Sequence, residues 1–294
     1  MSGIGLFETV TFSLVTRKGV CAEDGLDRAV SIVNPQNKEL AWMRPSLLSS
    51  LLSVVEKNIH CGTPDVFIFE IANTYHMISK DKNPKENKTL GMVLSGCWKQ
   101  KTWLDSARES SFYDLKGMLL SYFDRLGIRD YMFLSIHSDS KFRSEICEQI
   151  MVGADIIGVL GEVNPEISRS WDLESQVLYA EVDMGLLSRH MRWIKTFEEL
   201  PRYPGIQRDI AVIVAETVKA GEIKEIIKGL GHGLIRDVEA FDLFYGGRIP
   251  KGFKNLGFRI TYQSQERTLV SNEIQGLHTV IADKIIKKFQ ASFQ

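Results

Sequence analysis

The chain has 294 residues, 44% hydrophobic and 25% charged, with a formal net charge of −1, a composition ordinary for globular proteins and a length sufficient for two domains. No apolar run approaches about 18 residues and no basic segment leads into a hydrophobic core at the start, so neither a membrane span nor a secretion signal is expected. Cys21, Cys61, Cys97 and Cys147 show no CxxC spacing and the histidines do not cluster with them. This pattern reads as reduced cysteines of a cytoplasmic protein, not as zinc ligands or disulfides.

In chain order, residues 7–15 read as a strand. Arg44-Pro45-Ser46 leads into a helix whose apolar side is Leu47, Leu48, Leu51, Leu52 and Val55, with Ser46 placed to cap it. Residues 66–75 and 90–97 are strand-like, and the lysine-, asparagine- and proline-rich stretch 79–88 reads as an exposed hairpin tip or loop. A second helix over 114–126 buries Leu115, Met118, Leu119, Tyr122 and Leu126 and stops at Gly127. Its Asp114 and Lys116, and Ser46 near Arg44, are explained by capping and helix-face roles. Residues 155–163 and 176–182 are again strand-like. Without strict βαβ alternation, a largely antiparallel sheet with flanking helices is expected. Residues 195–204 break the patterns on both sides with two prolines, which places a domain boundary there and gives domains of 1–200 and 201–294.

In the last ninety residues, Ile210, Val212 and Val214 alternate with Asp209, Ala211 and Ile213 as in a mostly buried strand. Ile223, Ile226, Ile227 and Leu230 follow at helical spacing, closed by Gly231 and Gly233. The strand over 238–245 puts Phe241 and Leu243 on one face and Asp242 and Phe244 on the other. In the next, Leu256, Phe258, Ile260 and Tyr262 face one way, and Asn255, Gly257, Arg259 and Thr261 the other. Ser271 is placed to cap a helix with the stripe Ile274, Leu277, Ile281, Ile285 and Phe289, and residues 290–294 can add a short last strand.

The order is βαββαβ, and two helices cover only one face of such a sheet. The open face then carries Asp242, Phe244, Asn255 and Arg259, an aromatic ring beside hydrogen-bonding groups, which suits an unpaired base. On residue types alone, a ring packed under a neighbouring loop or domain is the other reading. Residues 204–294 hold 13 Lys and Arg against 10 Asp and Glu, and the remainder 23 against 27. That excess is too small for binding through phosphates alone, so stacking, shape or partners must help.

Four stretches of this module resemble a known family: Arg208-Asp-Ile-Ala-Val-Ile-Val214, Phe241-Asp-Leu-Phe-Tyr-Gly246, Pro250-Lys-Gly-Phe-Lys-Asn-Leu256 and Glu266-Arg-Thr-Leu269. They are similar to the ferredoxin-fold anticodon-binding domain that ends the β subunit of bacterial phenylalanyl-tRNA synthetase. Gly5-Leu-Phe-Glu-Thr-Val-Thr-Phe-Ser-Leu14, Met43-Arg-Pro-Ser-Leu-Leu48, Phe69-Glu-Ile71, Phe112-Tyr-Asp-Leu-Lys-Gly117 and Gly161-Glu-Val-Asn-Pro165 resemble successive blocks of that subunit's catalytic-like module.

The resemblance implies an α+β protein, a class II synthetase-like antiparallel sheet with flanking helices followed by the ferredoxin-like domain. It further implies a noncatalytic C-terminal part of a longer subunit, with Met1-Ser2 as an artificial or truncated start. The implied partners are tRNA(Phe) and an α subunit in an (αβ)2 heterotetramer. ATP and magnesium would serve the whole enzyme, with no cofactor held in this part. The first anticodon base would meet Asp242, Phe244 and Asn255, where the family commonly has Tyr at the second position and Ser at the third.

The phosphate-binding arginines of class II synthetases lack counterparts. His76 and Ile78 stand where an arginine and a glutamate are expected, and Arg189, after the single Gly185, reads as a surface helix residue. Walker, Gly-x-Ser-x-Gly and His-Glu-x-x-His motifs are also missing. The chain alone is therefore expected to be inactive. Two other classes remain: an interaction scaffold without tRNA binding, and a ferredoxin-like ligand-binding regulator.

Overall fold

The computed structural model describes residues 1–21, 29–79, 83–192, 194, 197, 199–231, 233–247 and 249–293. Contacts divide the chain into two units, Met1–Thr196 and Phe197–Gln294. Of the cysteines, the side chain of Cys21 lies outside the described residues.

The first unit contains β1 (Phe7–Glu8), β2 (Leu14–Val15), α1 (Arg17–Cys21), β3 (Val30–Ser31), β4 (Trp42–Met43), α2 (Leu48–His60), β5 (Val66–His76) and β6 (Lys85–Ser95). It continues with β7 (Cys97–Lys99), β8 (Arg108–Glu109), α3 (Phe112–Arg125), β9 (Tyr131–Ser135), β10 (Phe142–Val152), β11 (Asp155–Val163), α4 (Pro165–Ser170), β12 (Val177–Asp183) and α5 (Met184–His190). Its main sheet runs β1-β5-β6-β12-β11-β10-β9, antiparallel except for the parallel pair β1–β5. Side-chain alternation gives the sheet two cores. Leu90, Met92 and Leu94 of β6 meet Leu115, Leu119 and Phe123 of α3 on one face. Val93 joins Leu48, Leu51 and Leu52 of α2 on the other.

Residues 7–15, expected as one strand, split into β1 and β2 because Thr11 leaves the ladder for a buried carboxylate. Its N–H and hydroxyl donate to Glu70 at 3.0 and 2.7 Å. The same carboxylate accepts from Arg44 Nη1 at 3.1 Å, and both side chains are only 2% exposed. Arg44 also donates to Thr11 Oγ1 at 2.7 Å and to the Asn73 carbonyl at 3.0 Å, so the charge is enclosed but well partnered.

Helix α2 takes Leu47, not Ser46, as its N-cap residue. Ser46 Oγ accepts from Leu48 N–H at 3.1 Å, while Glu181, reaching over from β12, accepts from Leu47 N–H at 3.1 Å. Helix α3 begins two residues earlier than expected, at a capping box of Ser111 and Asp114. Arg108 donates to both Asp114 oxygens, at 2.7 and 2.9 Å, and holds that carboxyl down at about 2. The strand expected over 90–97 is interrupted at Gly96 and extends instead back to Lys85. The hairpin tip is thus shorter than 79–88, and residues 80–82 of it lie outside the described residues. Strand β10 escapes the sequence reading because it shifts register against β11 between Phe142 and Cys147 and again between Ile150 and Met151, which disrupts the apolar alternation, and its short edge neighbour β9 is missed with it.

The second unit contains β13 (Ile206–Ala215), α6 (Ala220–Leu230), β14 (Ile235–Phe244), β15 (Phe253–Tyr262), α7 (Ser271–Phe289) and β16 (Ser292–Phe293). The sheet order is β14-β15-β13-β16, with antiparallel neighbours throughout. Ile210, Val212, Phe258 and Ile260 pack against Ile223 and Ile227 of α6 and Ile274, Ile281 and Ile285 of α7. Val270 is the N-cap residue of α7, so Ser271 is its first helical residue and not its cap. Among the described residues no helix is long and apolar enough to cross a membrane.

Candidate nucleic-acid interface

Directly paired residues of antiparallel strands project to the same side of a sheet. In β15, Arg259 pairs with Asp209 of β13 and Glu239 of β14, and Gly257 with Ala211 and Asp242. Asn255 pairs with Ile213 and Phe244. The apolar partners Leu256, Phe258 and Ile260 belong to the helix-covered core. Asp242, Phe244, Asn255 and Arg259 therefore share the face away from the helices.

Their environments differ. Phe244 is 52% exposed, and a β-carbon built on Gly247, which has φ of 63°, would lie 3.5 Å from its ring. Asn255 is only 8% exposed, set between Ile213 and Phe244 in the register. Arg259 spends its fork on a bidentate pair, Nε and Nη2 donating to the two oxygens of Asp209 at 2.9 and 2.8 Å. Those bonds hold the Asp209 carboxyl below its ordinary range and raise the guanidinium.

The alternation expected for β14 fails at one position. The register shifts between Ala240 and Asp242, so Phe241 is the extra residue of a β-bulge on an edge strand. Phe241 does not join Leu243 on the core side. Its ring lies over Gly257, where a β-carbon would come within 3.1 Å of Cζ, and the Arg259 guanidinium stands 4.9 Å from the ring centroid. Gly257 was the legible sign, since a glycine inside a strand marks a bulge or a close approach. Leu243 does point to the helix side but remains 53% exposed at the sheet edge.

The face is acidic. Asp209 and Glu239 flank the Arg259 guanidinium and Asp242 shares their face, an arrangement that repels phosphates and favours the N–H-bearing edges of bases. Lys254, beside Asn255, donates to the Glu216 carbonyl at 2.7 Å, and burial pushes its pKa down.

The first unit holds an open cavity of about 310 Å³ at the far end of the sheet face that carries α2. His76, Asp139, Glu181 and Asp183 contribute its ionisable groups. Thr74 and Thr89 meet across its floor at 3.1 Å. Carboxylates without an arginine or lysine among the described lining residues do not fit a polyphosphate, so ATP does not suit this donor set. Arg189 lies exposed in the last turn of α5, and Ile78 is also exposed. No cluster able to hold a metal ion occurs among the described residues.

A four-stranded sheet with helices on one side and an exposed aromatic ring on the other has the form of a sheet module able to receive an unpaired base. Residues 201–294 match the family described as the ferredoxin-fold anticodon binding domain. Residues 1–184 match the phenylalanyl tRNA synthetase beta chain CLM domain, and the chain belongs to the phenylalanyl tRNA synthetase beta chain family. The phenylalanine–tRNA ligase beta subunit of Geobacillus kaustophilus is 30% identical over 293 residues, 99% of this chain and 36% of that one. That of Geobacter metallireducens is 30% identical over 299 residues, 100% and 37% respectively. The chain thus spans little more than a third of these relatives. A pyrrolysyl tRNA synthetase from Desulfitobacterium hafniense superposes with a TM-score of 0.49 at 16% identity, over 66% of this chain and 69% of that one.

Proposed function

We propose that the chain acts as the noncatalytic C-terminal portion of a phenylalanine–tRNA ligase β subunit. Residues 201–294 hold the anticodon loop of tRNA(Phe). Residues 1–200 form a class II-like, catalytic-like domain that packs against the α subunit in a cytoplasmic (αβ)2 enzyme. The α subunit supplies the chemistry that uses ATP and magnesium. The observation that carries this reading is the helix-free sheet face on which exposed Phe244 and Asp242 lie in register with the largely covered Asn255.

A base swung out of the loop stacks on the Phe244 ring. Asp242, an acceptor when ionised, receives N–H donors from its edge, of which guanine offers an adjacent pair, and Asn255 can donate or accept. Phe244 keeps the stacking surface that tyrosine would offer but not the phenol hydrogen bond. Association with α through residues 1–195 is supported by exposed apolar side chains in the first unit. Phe7, Val10, Phe12 and Trp103 are 76, 88, 83 and 94% exposed, as at surfaces awaiting a partner.

The test is filter binding by the chain assembled with α, using tRNA(Phe) and a transcript with a substituted anticodon. Preference for the former is expected. Equal binding of both would favour the scaffold reading.

A further inference from the structure

The bulge in β14 creates a second aromatic position on the open face. Phe241 is 46% exposed although the local alternation assigns it to the core. The register slip brings its ring onto Gly257, which has no side chain to obstruct it. Arg259 stands against the ring at 4.9 Å and is itself held by two bonds to Asp209. Gly257 and Arg259 both come from β15, the first meeting the ring at Cζ and Cε1 and the second lying over it. A floor, a cation and a carboxylate that fixes the cation together constrain the orientation of this exposed ring.

We propose that Phe241 is a second stacking platform, receiving a nucleotide base adjacent in the anticodon to the one on Phe244. This rests on the reading of the open face as the anticodon site and adds a residue to it. Phe244 lies opposite Asn255, and the Phe241 ring lies over Gly257, two residues further along β15. At about 3.4 Å of strand rise per residue, the two positions are about 7 Å apart. A stacked nucleic acid strand advances by about 3.4 Å per base. Bases placed on both rings cannot remain stacked on each other, so the face receives two splayed bases. Asp242 pairs with Gly257, at the Phe241 end of this span.

The test uses the full chain and an anticodon stem-loop of tRNA(Phe), with binding read by fluorescence anisotropy. Protein variants are crossed with stem-loops made abasic at one anticodon position at a time. Phe241→Leu keeps apolar bulk and removes the ring, and it should weaken binding about tenfold. That loss should disappear when the base neighbouring the Phe244-bound one is absent, whereas the loss in Phe244→Leu should disappear at the other position. Phe241→Tyr should bind like the parent chain. Gly257→Ala, whose β-carbon would come within 3.0 Å of Asp242 Cβ and 3.1 Å of the Phe241 ring, should also weaken binding, and a far-UV circular dichroism spectrum like the parent's guards against a folding defect in Phe241→Leu.

If Phe241→Leu binds as tightly as the parent while Phe244→Leu does not, the second platform is refuted and the anticodon reading stands. If both variants couple to the same base, two separate platforms are refuted. If the parent chain shows no preference among intact and abasic stem-loops, the anticodon reading fails and the second platform fails with it.

Discussion

Glu70→Gln tests how the first unit is held together. Arg44 and Glu70 are each 2% exposed and joined at 3.1 Å, so loss of the carboxylate leaves an enclosed guanidinium charge without a counter-charge. Breaking a buried pair from one side costs about 3–5 kcal/mol. Arg44 keeps the Asn73 carbonyl and Thr11 Oγ1 as acceptors, which argues for the low end, about 3 kcal/mol. All five tryptophans precede residue 197, so their fluorescence reports this unit without contribution from the second. With an m-value of about 2 kcal/mol per molar, the urea midpoint should fall by about 1.5 M. Arg44→Met should produce a similar fall by stranding the carboxylate. The double variant should be more stable than the sum of the two single losses implies, because neither charge remains. A fall of less than about 0.5 M in both single variants, or strict additivity in the double, would refute the account of an interdependent buried pair.

Phe244→Ala in the assembled enzyme should weaken tRNA recognition by about tenfold or more, while Phe244→Tyr should be neutral or better. Aminoacylation at subsaturating tRNA reads this, and adenylate formation without tRNA should hardly change in either variant. The purified chain alone should give no phenylalanine-dependent pyrophosphate exchange above background. Clear exchange would overturn its noncatalytic assignment. In the second unit, Tyr262 OH and His278 Nδ1 lie 3.0 Å apart, and burial lowers the histidine pKa, helped by Arg208. A folded pKa below the ordinary 6.5 means that this contribution to stability is present above pH 6.5 and lost as pH falls through the folded value. Protection factors of β15 amides, with the intrinsic pH dependence of exchange divided out, should therefore fall on acidification, and His278→Gln should flatten that dependence. The Tyr262 hydroxyl, pushed up to about 12 by burial, contributes below about pH 10 and loses its contribution as pH rises towards 12.

The second unit was legible because its apolar positions are regular. Ile210, Val212 and Val214 repeat at the strand period, Ile223 and Ile227 at that of a helix, and the core follows them. The first unit was less so. Thr11 sits in a run of strand formers, yet its bonds go to Glu70, far along the chain. Leu47 N–H finds its acceptor on Glu181. Local pattern cannot reveal such partners, because long-range satisfaction of polar groups outweighs weak propensities.

The same limit governs the candidate interface. Alternation correctly placed Asp242 and Phe244 together, because both lie beyond the bulge where the new register is regular. It misplaced Phe241, the single residue at which two phases meet. It also treated Arg259 as an independent group, although the cross-strand residue Asp209 already engages its Nε and Nη2. A charge committed to a neighbour contributes less to phosphate attraction than a count of basic residues implies. On the proposed anticodon reading, specificity on this face rests on ring positions and base edges more than on charge, and Gly257 is the point where an added methyl would press on both the Phe241 ring and Asp242.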